Sequence, residues 1–270
     1  MKKTSDYHVH TCHCDGNDTP AVMAATAHGL GFRVLGFSGH SSMPTAPETW
    51  MDSAAAAAYR SQVRDLAAQY EGRMQVLCGL ELDYHSDEDG REYDYIIGSV
   101  HNVTAGGALH ILDHTAEGFR QLLTEGFGGD YGALAEQYFA QVADVVRKTR
   151  CHIIGHFDLI TKFRNLMPLQ PDQRYWDAAF EAVRTLAPTG VPFEINVGAI
   201  TRGYRTSPYP DDRLLREIRA HGGSIILTGD CHDHRRLGDC YDVAATAAQR
   251  CGFTERIEWD GSGFSPVPLL

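Results

Sequence analysis

The β-rich runs of this chain stop at residues that bind metals, and that coincidence constrains the fold more than any single motif. His8 and His10 follow the first run, His40 the second, Glu81 the third, His101 and His156 the next two, and Asp230 with His232 the last. These imidazoles and carboxylates are scattered over most of the sequence. They can meet only if the strands deliver their C-terminal ends to one place, which parallel strands around a barrel do. The runs therefore predict an α/β barrel with a multinuclear metal centre at its mouth.

Periodicity and turn residues fill in the order of elements. Strands are predicted over 5–9, 33–39, 75–82, 94–100, 152–157, 191–197 and 224–229. Helices are predicted over 20–30, 52–70, 116–124, 131–149, 173–187, 211–221 and 239–251, the first starting at Pro20 behind Asp18 or Thr19. Strict alternation of seven strand-helix units implies a parallel sheet closed into a TIM-like barrel, read as one domain over 1–270. Segment 102–130 is the longest connection between a strand and its helix, and a loop of that length on a compact barrel is expected to act as a lid or to touch substrate.

Composition removes several function classes. Against 35 Asp and Glu stand 24 Lys and Arg, a formal charge of −11, and the basic residues form no cluster that would grip a phosphate backbone. No nucleic-acid partner is expected. No apolar run approaches the length of a membrane span, and two lysines lead straight into DYHVH with no secretory core, so the expectation is a cytoplasmic protein without a membrane partner. The seven cysteines form an odd set without a CxxC pair, which fits reduced thiols. Cys12 and Cys14 in HTCHCDG are read as small residues packed near a crowded site rather than as zinc ligands.

His8 and His10 are two apart on a strand, so both rings point to one side, and Asp15 adds an oxygen from the following loop. His40 and His156 each follow a glycine, and Glu81 and His101 have Gly79 and Ser99 two residues back, small neighbours that let side chains crowd around an ion. Asp230 and His232 repeat the two-residue spacing, while His234 lies beyond the strand. Imidazole mixed with carboxylate favours Zn, Mn or Fe over Ca or Mg. Two or three such ions about 3.5–4 Å apart would activate water and clamp a phosphoryl oxygen, with Glu81 the natural shared ligand. Phosphate also needs cations that are not ligands, and the candidates are Arg202 after the sixth strand and Lys162 with Arg164 after the fifth. Glu194 and Asn196 are candidates for orienting ligands or water. His110, His114 and Tyr204 lie where a substrate could be touched.

The segments DYHVHTCHCDG, FSGHS, GLELDY, GSVHNV, GHFDLI, EINV and LTGDCHD, in that order, resemble the polymerase-and-histidinol-phosphatase (PHP) superfamily, and within it the histidinol-phosphate phosphatase branch. The resemblance implies a distorted seven-stranded barrel and a centre of three divalent transition-metal ions, Zn, Mn or Fe. By position, His8, His10, Glu81 and Asp230 would hold the first ion, Glu81 with His101 and His156 the second, and Asp15 with His40 and His232 the third. Several relatives carry histidine where this chain has Asp15, and Arg202 matches the family's phosphate-clamping position. The implied reaction is hydrolysis of L-histidinol phosphate, a small phosphomonoester, to L-histidinol and phosphate by a bridging hydroxide. Asp230, His232 or a metal-bound water would protonate the leaving alcohol. The alternatives are another phosphoester, such as phosphotyrosine or a nucleotide phosphate, or a metal-binding domain without turnover. Oligomeric state is not indicated.

Overall fold

A computed structural model of the chain describes residues 5–43, 45–167 and 169–269. Seven strands, β1 (Ser5–Asp6), β2 (Val34–His40), β3 (Gln75–Asp83), β4 (Tyr95–Ser99), β5 (Ile153–Ile154), β6 (Phe193–Asn196) and β7 (Ile225–Thr228), form one parallel sheet in sequence order. Every residue of β2 and all but the first of β3 are buried. This is why these strands read as continuous apolar runs: helices cover one face and the barrel interior the other.

Closure of the barrel is made at the site itself. The main-chain NH of His10 donates to the carbonyl of Cys231 at 2.9 Å, and the NH of Cys231 donates to the carbonyl of His8 at 3.0 Å. These bonds form a parallel bridge between Val9 and Cys231 that joins the ends of the first and last strands. The β2–β3 register sets His40 opposite Glu81.

The predicted helices are α1 (Pro20–Gly29), α2 (Ser53–Gln69), α3 (Ala116–Gln121), α4 (Tyr131–Thr149), α5 (Gln173–Leu186), α6 (Asp212–Ala220) and α7 (Tyr241–Arg250). The first six start at an oxygen-bearing cap, Thr19, Asp52, Thr115, Asp130, Asp172 and Asp211 in turn, whose side chain accepts from a first-turn NH. The alternation is not strict. β3 passes to β4 with only a 3-10 turn at Gly90–Glu92, whereas the β4–β5 connection holds both α3 and α4. Among the described residues no helix is long and apolar enough to cross a membrane.

Three elements went unread in the sequence. An antiparallel hairpin, Asn102–Ala105 with Ala108–Ile111, occupies the long connection. A helical turn spans Gly198–Thr201, and a second hairpin pairs Glu255–Trp259 with Phe264–Pro268. The second hairpin stoppers the end of the barrel away from the ligands. There Tyr7, Val34, Leu77, Tyr95, Ile97, Ile153 and Ile226 form an apolar interior against which Ile257, Trp259 and Phe264 pack. Phe264 stands edge-on to Tyr7 and Tyr95 at 5.4 and 5.9 Å, and the Trp259 main-chain NH donates to the Tyr7 hydroxyl. Tyr95 crosses the interior and donates from its hydroxyl to the Tyr7 and Phe37 carbonyls.

Tyr95 fits only because its neighbour on β3 is a glycine. A Cβ at Gly79 would stand 2.2 Å from the Tyr95 ring, and the ring has no room to move. Gly79→Ala should lower unfolding free energy by about 1–3 kcal/mol, the range for overpacking a filled interior. Urea denaturation followed by circular dichroism measures this, and an unchanged midpoint would contradict it.

Candidate metal centre

Every ligand candidate but Asp15, which comes from the loop before α1, is placed near or just beyond the end of a strand. Glu81 lies two residues before the end of β3 with its side chain turned into the barrel, 1% exposed. Its Oε2 lies 3.1 Å from His8 Nε2, 3.5 Å from His10 Nε2 and 3.0 Å from His40 Nδ1. Its Oε1 lies 3.2 Å from His101 Nε2 and 2.9 Å from His156 Nε2. One carboxylate thus faces five imidazoles. Asp230 Oδ1 stands 3.4 Å from His10 Nε2 and 3.9 Å from His8 Nε2. Asp15 Oδ1 lies 3.2 Å from His232 Nε2, 3.6 Å from His40 Nε2 and 3.5 Å from His10 Nδ1. All nine predicted ligand candidates therefore meet in one cluster, and His40 and His10 each present a nitrogen to both sides of it.

The cluster has the chemistry of a cation site. His8 Nε2, His10 Nε2, His40 Nδ1 and Glu81 Oε2 are shielded from solvent and make no hydrogen bond. Burying such groups without partners is costly. Donors at about 2.0–2.1 Å from a zinc ion stand about 3.3 Å apart in a tetrahedron, which matches the spacing of this set. The residues present suit a divalent transition metal.

A second layer holds the imidazoles in place. Glu194 Oε1 accepts from His8 Nδ1 at 2.5 Å, and Glu194 Oε2 accepts the His156 main-chain NH at 2.8 Å. Asp83 Oδ2 accepts from both the ring Nδ1 and the main-chain NH of His101, at 3.1 and 3.0 Å. With Nδ1 donating to this layer, Nε2 of His8 and His101 is the nitrogen that faces Glu81 and that becomes a ligand once its own proton is displaced. Asn196 Nδ2 donates to Glu194 Oε2 at 3.1 Å and Asp230 Oδ2 at 3.3 Å, tying this layer to the last strand. Glu194 and Asn196 thus sit where the sequence suggested they would orient ligands. Asp83 was missed, although it ends the same strand as Glu81 two residues on, and that spacing was its signal. Asp230 has a left-handed backbone with φ of 49°, and a Cβ on Gly198 would come within 2.7 Å of its side chain, so a glycine is needed beside it.

The electrostatics divide the histidines. Burial alone would depress His8, His10, His40 and His101. For His40 and His101 the pull of Glu81, helped by Asp15 on the first and Asp83 on the second, overrides it and raises both to about 10. His8 is raised as well, burial being outweighed by Glu194, Glu81 and Asp230. His10 goes the other way, to about 3, through burial and the neighbouring His232 and His40. Glu81 and Asp230 are held well below the usual carboxylate range, burial being overcome for Glu81 by His8 and His40 and for Asp230 by Arg202 and His8.

Above the cluster opens a mouth of about 320 Å³. Arg202 lines it, its Nη2 donating to Asp230 Oδ2 at 2.9 Å and its Nη1 to His232 Nδ1 at 2.9 Å. Lys162 lines it too, with Nζ 2.6 Å from the Asp113 carbonyl and 2.9 Å from Asp113 Oδ2. Arg164 is a correction: it is absent from the lining and is spent on Asp211 Oδ2 at 3.2 Å and the Ser207 hydroxyl at 3.1 Å. A lysine and an arginine two apart on a turn point different ways, and here the lysine took the mouth. His114 and Tyr204 line the mouth, while His110 bonds the Ala105 carbonyl within its own hairpin. Cys14 Sγ sits 3.5 Å from His10 Nδ1, Cys12 is exposed, and His234 pairs with Asp18 at 3.0 Å on the rim.

The PHP domain family model matches residues 6–198 of the chain. The chain is 26% identical to the histidinol-phosphatase of Bacillus subtilis (strain 168) over 261 residues, 88% of this chain and 97% of that one. It is 29% identical to a Deinococcus radiodurans protein named "Probable histidinol-phosphatase" over 256 residues, 88% of this chain and 90% of that one. Among solved structures, HisK of Listeria monocytogenes superposes with a TM-score of 0.80 at 16% identity, covering 88% of this chain and 99% of the other. The histidinol phosphate phosphatase of Lactococcus lactis subsp. lactis Il1403, solved with zinc, L-histidinol and phosphate, superposes at 0.69 with 21% identity, covering 97% and 99%.

Two measurements follow from the second layer and the charges. Glu194→Gln weakens the grip on His8 and should lower divalent-metal affinity about 10–100-fold in chelator competition, without loss of fold; unchanged affinity would remove Glu194 from its positioning role. His40 and His101 carry protons at neutral pH in the metal-free protein, and an ion must displace them. Adding zinc to weakly buffered metal-free protein should therefore release protons, and apparent affinity should rise from about pH 6 to about pH 8. Affinity that falls or stays flat over that range would show the assigned charges to be wrong.

Proposed function

The chain belongs to the PHP domain family, and from that membership we propose that it hydrolyses L-histidinol phosphate to L-histidinol and phosphate. The observation that carries the reading is Glu81, one buried carboxylate facing five imidazoles beneath a mouth lined by Arg202 and Lys162. Cations over such a floor suit a phosphoester. The named relatives supply the alcohol.

The donor distances support three ions. His8, His10, Glu81 Oε2 and Asp230 would hold one, Glu81 Oε1 with His101 and His156 a second, and Asp15 with His40 and His232 a third. When bound, such ions acidify water and withdraw charge from phosphoryl oxygens. The chain's own residues do the rest. Arg202 presents a planar fork at the rim and stays charged beside Asp230, so it can take equatorial phosphate oxygens as charge builds on them. Lys162 adds a point charge from the connection after the neighbouring strand β5. Asp230, held ionised by Arg202, is a poor proton donor, which leaves His232 or water to protonate the departing alcohol.

The test is a substrate panel on protein reconstituted with zinc or manganese. The kcat/KM for L-histidinol phosphate should exceed those for p-nitrophenyl phosphate and phosphotyrosine, and Glu81→Ala should lose both bound metal and turnover. Equal rates on all three esters would defeat the substrate, and full turnover in Glu81→Ala would defeat the centre.

A further inference from the structure

Resting on the phosphatase reading, we infer that Asp113 is a specificity residue: its carboxylate receives the protonated amine of the leaving alcohol and makes the mouth selective for phosphate esters of 2-amino alcohols. Of the residues that line the mouth, Asp15 and Asp113 are the acidic ones, and Asp15 belongs to the ligand cluster. Asp113 stands apart, one residue beyond Leu112, whose NH donates to the His101 carbonyl at the base of the 102–111 hairpin. It shares the lining with Lys162 and Arg202, the cations suited to phosphate.

An anion beside a phosphate subsite needs a reason, because it weakens the attraction for a dianionic ester. Holding Lys162 does not require it. Lys162 Nζ is already bonded to the Asp113 main-chain carbonyl at 2.6 Å, and a neutral amide oxygen would serve in place of Oδ2. Asp113 is nonetheless fully ionised: burial is outweighed by Lys162 and His101, and it titrates at about 2. Only Oδ2 is engaged, and no group among the described residues bonds Oδ1. The side chain keeps 17% of its surface exposed, and it lines the mouth.

The surroundings suit an organic cation. Tyr204 lies beside the pair, Lys162 Nζ being 5.2 Å over its ring, and Trp50 lines the same mouth, edge-on to His40 and His101. Aromatic faces next to a carboxylate attract ammonium and imidazolium groups. L-histidinol phosphate carries its amine on the carbon next to the ester carbon, so an ester seated by Lys162 brings that amine to the neighbourhood of Asp113.

Two esters and one substitution decide the matter. The esters are L-histidinol phosphate and its deamino analogue, 3-(imidazol-4-yl)propyl phosphate, assayed on zinc-loaded protein with metal content checked by elemental analysis. The readout is the ratio of their kcat/KM values. It should favour the amine by about 10-fold or more in the native protein, the worth of a charged hydrogen bond, and fall toward unity in Asp113→Asn while Asp113→Glu retains part of it. Any loss of Lys162 anchoring lowers both rates together and leaves the ratio where it was. An unchanged ratio in Asp113→Asn, or no amine preference in the native protein, overturns the inference. The phosphatase reading fails separately, if neither ester is hydrolysed faster than p-nitrophenyl phosphate.

Discussion

The structure depends on one buried charge. Glu81 is a carboxylate with almost no access to solvent, and an ionised group in that position survives only among strong partners. Its partners are five imidazoles brought from four other places in the sequence, and each arrival has a structural cause. His40 comes by strand register, His8 and His10 by the bridge that closes the barrel, and His101 and His156 from the ends of β4 and β5. The barrel is therefore closed by the same residues that make the site. Opening the seam between Val9 and Cys231 would unmake both at once.

The two ends of the barrel solve opposite problems. At the ligand end the interior is polar and charged, with carboxylates and imidazoles holding one another in place of apolar packing. At the other end Tyr95, Tyr7 and Phe264 fill the bore with edge-on rings, and the C-terminal hairpin lies across them. The polar end gives up hydrophobic stabilisation, since groups kept for chemistry cannot also be chosen for packing. The apolar end has no such duty and is packed until a single added methyl has no room.

Much of this was legible because the period of a strand and the chemistry of its last residue are both local. The seven parallel strands and seven helices lay close to where their apolar runs and periodicity put them, and the family motifs fall at or near the strand ends. The hairpin at 255–268 went unread although Asp260 and Gly261 mark its turn, because the barrel was already complete without it. The predicted elements already leave 83–93 without a helix and put two between 100 and 152, so the strict alternation inferred from them, not their placement, is what the structure corrects. Arg164 shows the limit of loop reasoning. Its sequence neighbourhood is that of Lys162, yet its direction is set by Asp211, far along the chain, and no local pattern reports that pairing.

The same distinction explains where selectivity can reside. Apart from Asp15, residues of the ligand cluster sit near or just past strand ends whose positions are fixed by the ladder, so they cannot change without cost to closure. Asp113 and Lys162 lie on two separate connections and touch each other rather than the barrel floor. A substitution there alters the mouth while leaving the strands paired, which is how one metal-binding scaffold can serve different alcohols. The long β4–β5 connection, with its own hairpin and two helices, gives that rim internal support independent of the sheet. Chemistry is thus set by the strands and choice of substrate by the loops, and the two are coupled through Arg202, which reaches from the rim to Asp230 in the cluster.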